Sequence, residues 1–188
     1  MKQRPCTFPI SNIPFRKRID ESMQLSTFDD YRQHVADGTN AVISKTKLND
    51  RNVVIKVLKK SYPDDHLAVQ EIQMEAKALK CFDHPNIIGI IGCGKSNNLH
   101  FLSLEYLEGG TLQSLLVSNA APAKKIMRFF STKPVIPLER ILRIGLEFAS
   151  AMKYLHYDVD PNAFFVHRGL NFSPHVFMHI KFYKYIRT

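Results

Sequence analysis

Two spacings of apolar residues run along this chain, and they change over at definite places. From about residue 30, "AVISKTKL" (41–48) and "NVVIKVLK" (52–59) are short β-branched runs joined through "NDRN", which predicts a hairpin. The spacing then becomes helical in "SYPDDHLAVQEIQMEAKALKCF", where Leu67, Ile72, Glu75, Ala76, Leu79 and Phe82 recur on one face. Asp64 or Asp65 is placed to cap that helix, and "DHPN" ends it, because the residue before a proline is pushed out of helical geometry. "IIGIIGCG" and "LHFLSLEYL" predict two further strands with "KSNN" as the turn between them. A flexible "EGG" joint and a short helix over "TLQSLLV" follow.

Residues 118–137 read as an irregular, basic, proline-containing insertion, and Pro137 opens a long helix, "LERILRIGLEFASAMKYLH". Leu138, Ile141, Leu142, Gly145, Ala149, Met152 and Leu155 form its apolar stripe. Such a stripe needs a surface to pack against, and only about thirty residues follow it.

Composition narrows the class. With 188 residues there is room for one ordinary domain, or one and part of another. Hydrophobic residues at 45% and charged ones at 23% exclude disordered and fibrous chains. The longest apolar stretch is too short to span a bilayer, and prolines interrupt the N-terminal apolar positions, so no secretory signal is read. Cys6, Cys81 and Cys93 are isolated and odd in number, which suggests a reducing, cytoplasmic setting with no disulfide or zinc framework.

The net charge of +9 points toward nucleic acid until its location is considered. Residues 1–19 hold five Lys/Arg, 124–133 hold four and 175–188 hold three, with no Asp or Glu among them. Removing those twelve leaves 14 basic against 17 acidic residues, a balance of −3 for the rest. The excess lies on two ends and an insertion, so no nucleic-acid partner is assigned.

The order of elements and five short motifs resemble a eukaryotic protein kinase. "VVIK" (53–56) is similar to the V-A-I-K strand whose lysine holds the α- and β-phosphates of ATP. "QMEAKALKCFDHPNII" resembles the C-helix, with Glu75 as ion-pair partner of Lys56. "LSLEYLEGGTL" resembles the hinge between lobes, "YLH" (154–156) the end of the long helix, and "VHR" (166–168) the start of the catalytic loop. The resemblance implies an α+β fold: a kinase-like N-lobe of twisted antiparallel sheet plus C-helix, then the first helices of an incomplete, mainly helical C-lobe. It divides the chain into a flexible basic leader (1–27), an N-lobe (28–107) and a segment (108–174) holding hinge, insertion, long helix and degenerate catalytic loop, with an aromatic, basic tail (175–188). That tail could add one strand, or it could be an exposed, aggregation-prone tail.

By the same resemblance the cofactors are ATP and Mg2+, and the partners ATP and a protein substrate or protein partner. Adenine would face the backbone of Glu105 and Leu107, with Leu104 as gatekeeper and Ile43 and Val54 covering the ring. His167 would join Leu79 and Ile90 in an internal apolar spine, and Arg168 would begin the catalytic loop. Physical chemistry supports the core of this assignment independently. A phosphate chain needs a fixed cation, and Lys56, flanked by Val54-Ile55 and Val57-Leu58, sits in a strand buried enough to demand a carboxylate partner.

The pattern also breaks. The phosphate-covering G-x-G-x-x-G keeps only Gly38, with Ala36 and Ala41 in the outer places. In the catalytic loop Gly169 occupies the place of the acid, Asn171 that of the lysine and Pro174 that of the metal-binding asparagine. After Asp160 there is no Asp or Glu, so no D-F-G carboxylate follows. His175 and His179, without a third ligand, define no metal site. The resulting expectation is a protein kinase family member that binds ATP, with serine/threonine rather than tyrosine chemistry by descent, and impaired in phosphoryl transfer. The alternatives are a pseudokinase-type nucleotide-binding or scaffold module, or a truncated gene product.

Overall fold

In the computed structural model, residues 18–62, 65–109, 136–160, 163–167 and 182–186 are described, the last two segments by backbone and the Phe165 side chain. Seven strands and two helices are present among them. β1 (Gln33–Asp37), β2 (Ala41–Leu48) and β3 (Arg51–Leu58) precede α1 (His66–Lys80); β4 (Ile90–Ser96) and β5 (Leu99–Glu105) follow it. α2 (Leu138–Lys153) runs into a π-helical turn at Tyr154–Asp158, and β6 (Ala163–His167) pairs with β7 (Phe182–Ile186). The first five strands form one antiparallel sheet in the order β1-β2-β3-β5-β4, with α1 on one face.

The local chemistry explains these elements. Asn49 and Asp50, then Asn97 and Asn98, adopt positive φ at the β2–β3 and β4–β5 turns, the geometry that two-residue hairpins need and Asn or Asp tolerates. Asp65 caps α1, its carboxylate accepting from Leu67 N at 2.9 Å and Ala68 N at 3.2 Å. Between sheet and helix the core gathers Ile43, Val54, Ile72, Ala76, Leu79, Ile90, Leu102 and Leu104. It continues into Ala151, Tyr154, Leu155 and Phe165, so the end of α2 is joined to the sheet's own core. Phe82 and Phe165 meet edge to face at 5.0 Å, and the Asp83 amide donates to the Tyr154 hydroxyl at 2.9 Å.

Two expectations need correction. Residues 18–27 do not belong to a flexible leader. Their backbone reaches the edge strand β4, where Cys93 N donates to Asp20 O at 2.9 Å; Met23, with Phe28 just beyond the expected boundary, is buried on the outer sheet face. The physical reason is a pair of glycines: a Cβ at Gly92 would overlap Met23 Sδ, and one at Gly94 would overlap the Met23 carbonyl oxygen. The second correction concerns the long helix. Leu138, Ile141 and Leu142 stand exposed on the first turns of α2, and burial begins only at Ala151, Tyr154 and Leu155. The stripe that must pack is therefore covered only near its C-terminal end. The short helix expected over 111–117, and residues 118–135 of the insertion, lie outside the described residues.

Candidate nucleotide site

The sheet arranges the candidate side chains in rows across β2, β3 and β5. Ile43, Lys56 and Leu102 are in register in one row, and Lys45, Val54 and Leu104 in the next, with Ile90 of β4 beyond Leu104. Residues directly opposite on paired strands share a face, and alternation along β3 puts Val54 and Lys56 on the same one. Ile43, Val54 and Leu104 are buried in the core cluster that includes α1. This face holds an apolar surface beside a buried cation.

That cation is Lys56. It is only 6% exposed, and its ammonium donates to Glu75 Oε2 at 2.5 Å. Two features of the sequence bring the pair together. Lys56 lies in the middle of β3, and Glu75 lies on the sheet-facing side of α1, one residue before the buried Ala76. An ammonium in such surroundings is retained only if a carboxylate and further polar contacts replace the water it loses.

α1 carries another tie to the loop between β1 and β2. Asn40 Nδ2 donates to Glu71 Oε2 at 3.2 Å, so the exposed Glu71 ties the helix to that loop. The loop itself is a tight turn closed by Gly38 N to Ala41 O at 2.8 Å. At the other end of the row, Leu107 is exposed, and Glu105 folds back on the strand start. Its Oε1 accepts from Gly89 N at 2.6 Å while Glu105 N donates to Gly89 O at 3.0 Å. Both bonds hold Glu105, at the end of β5 and the margin of this face, against residue 89.

One contact at that margin was not read from the sequence. Lys45 Nζ lies over the Tyr106 ring, 4.1 Å from its centroid. Lys45 is opposite Val54 in register, two residues along β2 from Ile43, so the pair closes the side of the face between β2 and the 105–107 segment. Its signal was the parity it shares with the buried Ala41 and with Ile43, a member of the core cluster.

His167 ends β6, placed by its backbone alone, while Leu79 and Ile90 share the core cluster. Arg168, Gly169, Asn171 and Pro174 lie outside the described residues, as do His175 and His179. Among the described residues, no group of three His, Cys, Asp or Glu is placed to hold a metal ion. No helix among them is long and apolar enough to cross a membrane.

Comparison with known proteins agrees with this geometry. The chain is 37% identical over 75 residues to the probable serine/threonine-protein kinase PknB of Lactococcus lactis, covering 40% of this chain and 12% of that protein. It is 31% identical over 80 residues to the serine/threonine-protein kinase PrkC of Bacillus subtilis, covering 43% and 12%. Against mitogen-activated protein kinase kinase kinase 7 of Drosophila melanogaster it is 28% identical over 144 residues, covering 74% and 20%. The matches thus span about an eighth to a fifth of these relatives' own lengths. The protein tyrosine and serine/threonine kinase family profile matches residues 30–173, and with the sheet, helix and ion pair in its order, the chain belongs to the protein kinase family.

Proposed function

We propose that this chain binds ATP on the face bearing Lys56 and that its phosphoryl-transfer machinery is impaired. The observation that carries the reading is a buried ammonium at position 56, held 2.5 Å from Glu75 in the row beside Val54 and Leu104. Ile43 and Val54 cover the adenine, Leu104 closes the back, and the backbone of Glu105 and Leu107 offers it hydrogen bonds. Gly38 lets the β1–β2 turn approach the phosphates. Lys56 holds the α- and β-phosphates, and Glu75 orients the ammonium and neutralises it while the site is empty of phosphate. Residues 28–107 make up this nucleotide-facing lobe, and 108–174 carry the hinge, the insertion, the long helix and the degenerate catalytic loop.

A nucleotide fits these residues, because the apolar face and the fixed cation match its two ends. The catalytic loop departs from the pattern: Gly169 supplies no base to a substrate hydroxyl, and Pro174 supplies no side-chain oxygen to a divalent ion where the family has asparagine. Loss of a positioned base alone lowers a rate by roughly 10²–10⁴. Descent from serine/threonine kinases makes a protein hydroxyl the substrate class of the ancestral reaction, and a protein the natural partner of the present chain.

The test is transfer of labelled γ-phosphate to a generic basic protein, run beside ATP-dependent thermal stabilisation. The proposal expects stabilisation, about 2.7 kcal/mol at a ligand concentration a hundred times Kd, with no transfer above that of the Lys56→Met variant. Lys56-dependent transfer at an ordinary kinase rate would refute the impairment. Absence of any stabilisation by ATP would refute the binding.

A further inference from the structure

Lys80, in the last turn of α1, is the second buried lysine among the described residues, at 4% exposure. Its ammonium lies 2.9 Å from Glu21 Oε1, in the segment that runs along β4. Glu21 itself is largely exposed, so the contact draws a surface carboxylate onto a cation that the helix has already buried. The segment is not free to drift. Asp20 bridges to Gly92 and accepts from Cys93 N, Met23 fills the space left bare by Gly92 and Gly94, and Phe28 meets Phe101 edge to face at 5.9 Å.

Lys80 follows Glu75 by five residues, which at 3.6 residues per turn is a rotation of about 140° around the helix axis. One ion pair therefore faces β3 and the other faces the 18–28 segment. Turning α1 about its axis to withdraw Glu75 from Lys56 would also pull Lys80 off Glu21. Asn40 holds the same helix at Glu71, but from the β1–β2 turn, on the side nearer Glu75.

We propose that the Glu21–Lys80 contact is a clasp that fixes the rotation of α1, so that Glu21 and Lys80 are positioning residues for the Lys56–Glu75 pair. Its consequence for ligand binding rests on the nucleotide reading above; its consequence for the helix does not. Two measurements on the full chain separate them. The first is a thermal double-variant cycle of Glu21→Gln with Glu75→Gln. Both contacts hold one helix orientation, so the double variant should lose less Tm than the sum of the single losses, by about 2 °C or more. Strictly additive losses would overturn the clasp, whatever the protein binds.

The second measures Kd for ADP and for adenosine, both without magnesium, in the wild type and in Glu21→Gln. Loss of the clasp should weaken ADP about fivefold and leave adenosine within twofold, because only ADP presents phosphate to Lys56. Equal weakening of both ligands would mean general loosening and would overturn the proposal, as would no change in either. Lys80→Met, which keeps an apolar stem in the buried position, should reproduce the ADP-selective loss. If the wild type binds neither ligand while the thermal cycle is non-additive, the nucleotide reading falls and the clasp stands.

Discussion

The pair Lys56–Glu75 is asymmetric, and that asymmetry makes a prediction about stability. The Lys56 side chain is 8% exposed and that of Glu75 13%, with the carboxylate nearer the rim. Removing the carboxylate takes from a buried ammonium the ion-pair partner 2.5 Å away, a loss of about 3 kcal/mol or more. Removing the ammonium in Lys56→Met leaves an apolar side chain in a core position and a carboxylate that can turn outward. Urea denaturation should therefore rank Glu75→Ala as clearly less stable than Lys56→Met; the reverse order would contradict the described burial. Cys93 supplies a second test at this scale. Burial raises its thiol above the ordinary range, opposed by Lys80 and assisted by Glu21 and Asp20. With the folded value raised, the unfolded chain releases the proton first, so this contribution to stability is complete below the unfolded value and fades as pH rises through the folded one. Stability should fall above about pH 9, and Cys93→Ser should reduce that fall when the two proteins are compared across the range.

Among the elements, β4 shows what sequence patterns convey and what they leave out. Its run "IIGCG" reads as a strand, but glycines at 92 and 94 alternate on one face, and that is the mark of a close neighbour rather than of weakness. The neighbour is Met23, in a stretch with neither helical nor strand period, which is why the covering segment was not foreseen. Gly92→Val should displace it and cost about 1–3 kcal/mol through overpacking. Gly145 is the contrast: a Cβ there meets nothing within 4 Å in the middle of α2. Gly145→Ala should raise stability by about 1 kcal/mol through helix propensity alone. Calorimetric Tm values that moved in the same direction for both would contradict this account. The turns after β2 and β4, by contrast, were legible, because Asn-Asp and Asn-Asn suit the positive φ they adopt. So was the cap of α1, narrowed from two aspartates to Asp65 by its bonds to Leu67 and Ala68.

For the molecule as a whole, the sheet, α1 and the end of α2 share one apolar core, from Ile43 and Val54 to Tyr154 and Phe165. Lys56 and Glu75, with Ile43, Val54 and Leu104, could be anticipated from the resemblance of short motifs, whereas the register that sets Leu102 beside Lys56 could not. The side contacts could not. Lys45 on Tyr106, Asn40 on Glu71 and Glu21 on Lys80 join residues whose sequence positions carry no shared period. They depend on packing angles that a linear pattern does not encode. α2 shows the opposite failure of pattern: a clear stripe predicts a buried face, yet its first turns carry exposed Leu138, Ile141 and Leu142. Across the whole molecule, the small antiparallel sheet sets the buried, ion-paired Lys56 beside an apolar surface. The decisive measurement is calorimetric titration of ATP into the wild type and into Lys56→Met. Saturable one-site binding that the substitution weakens at least tenfold, with adenosine affinity left nearly unchanged, is the predicted result; ATP binding that ignores the substitution would contradict the account.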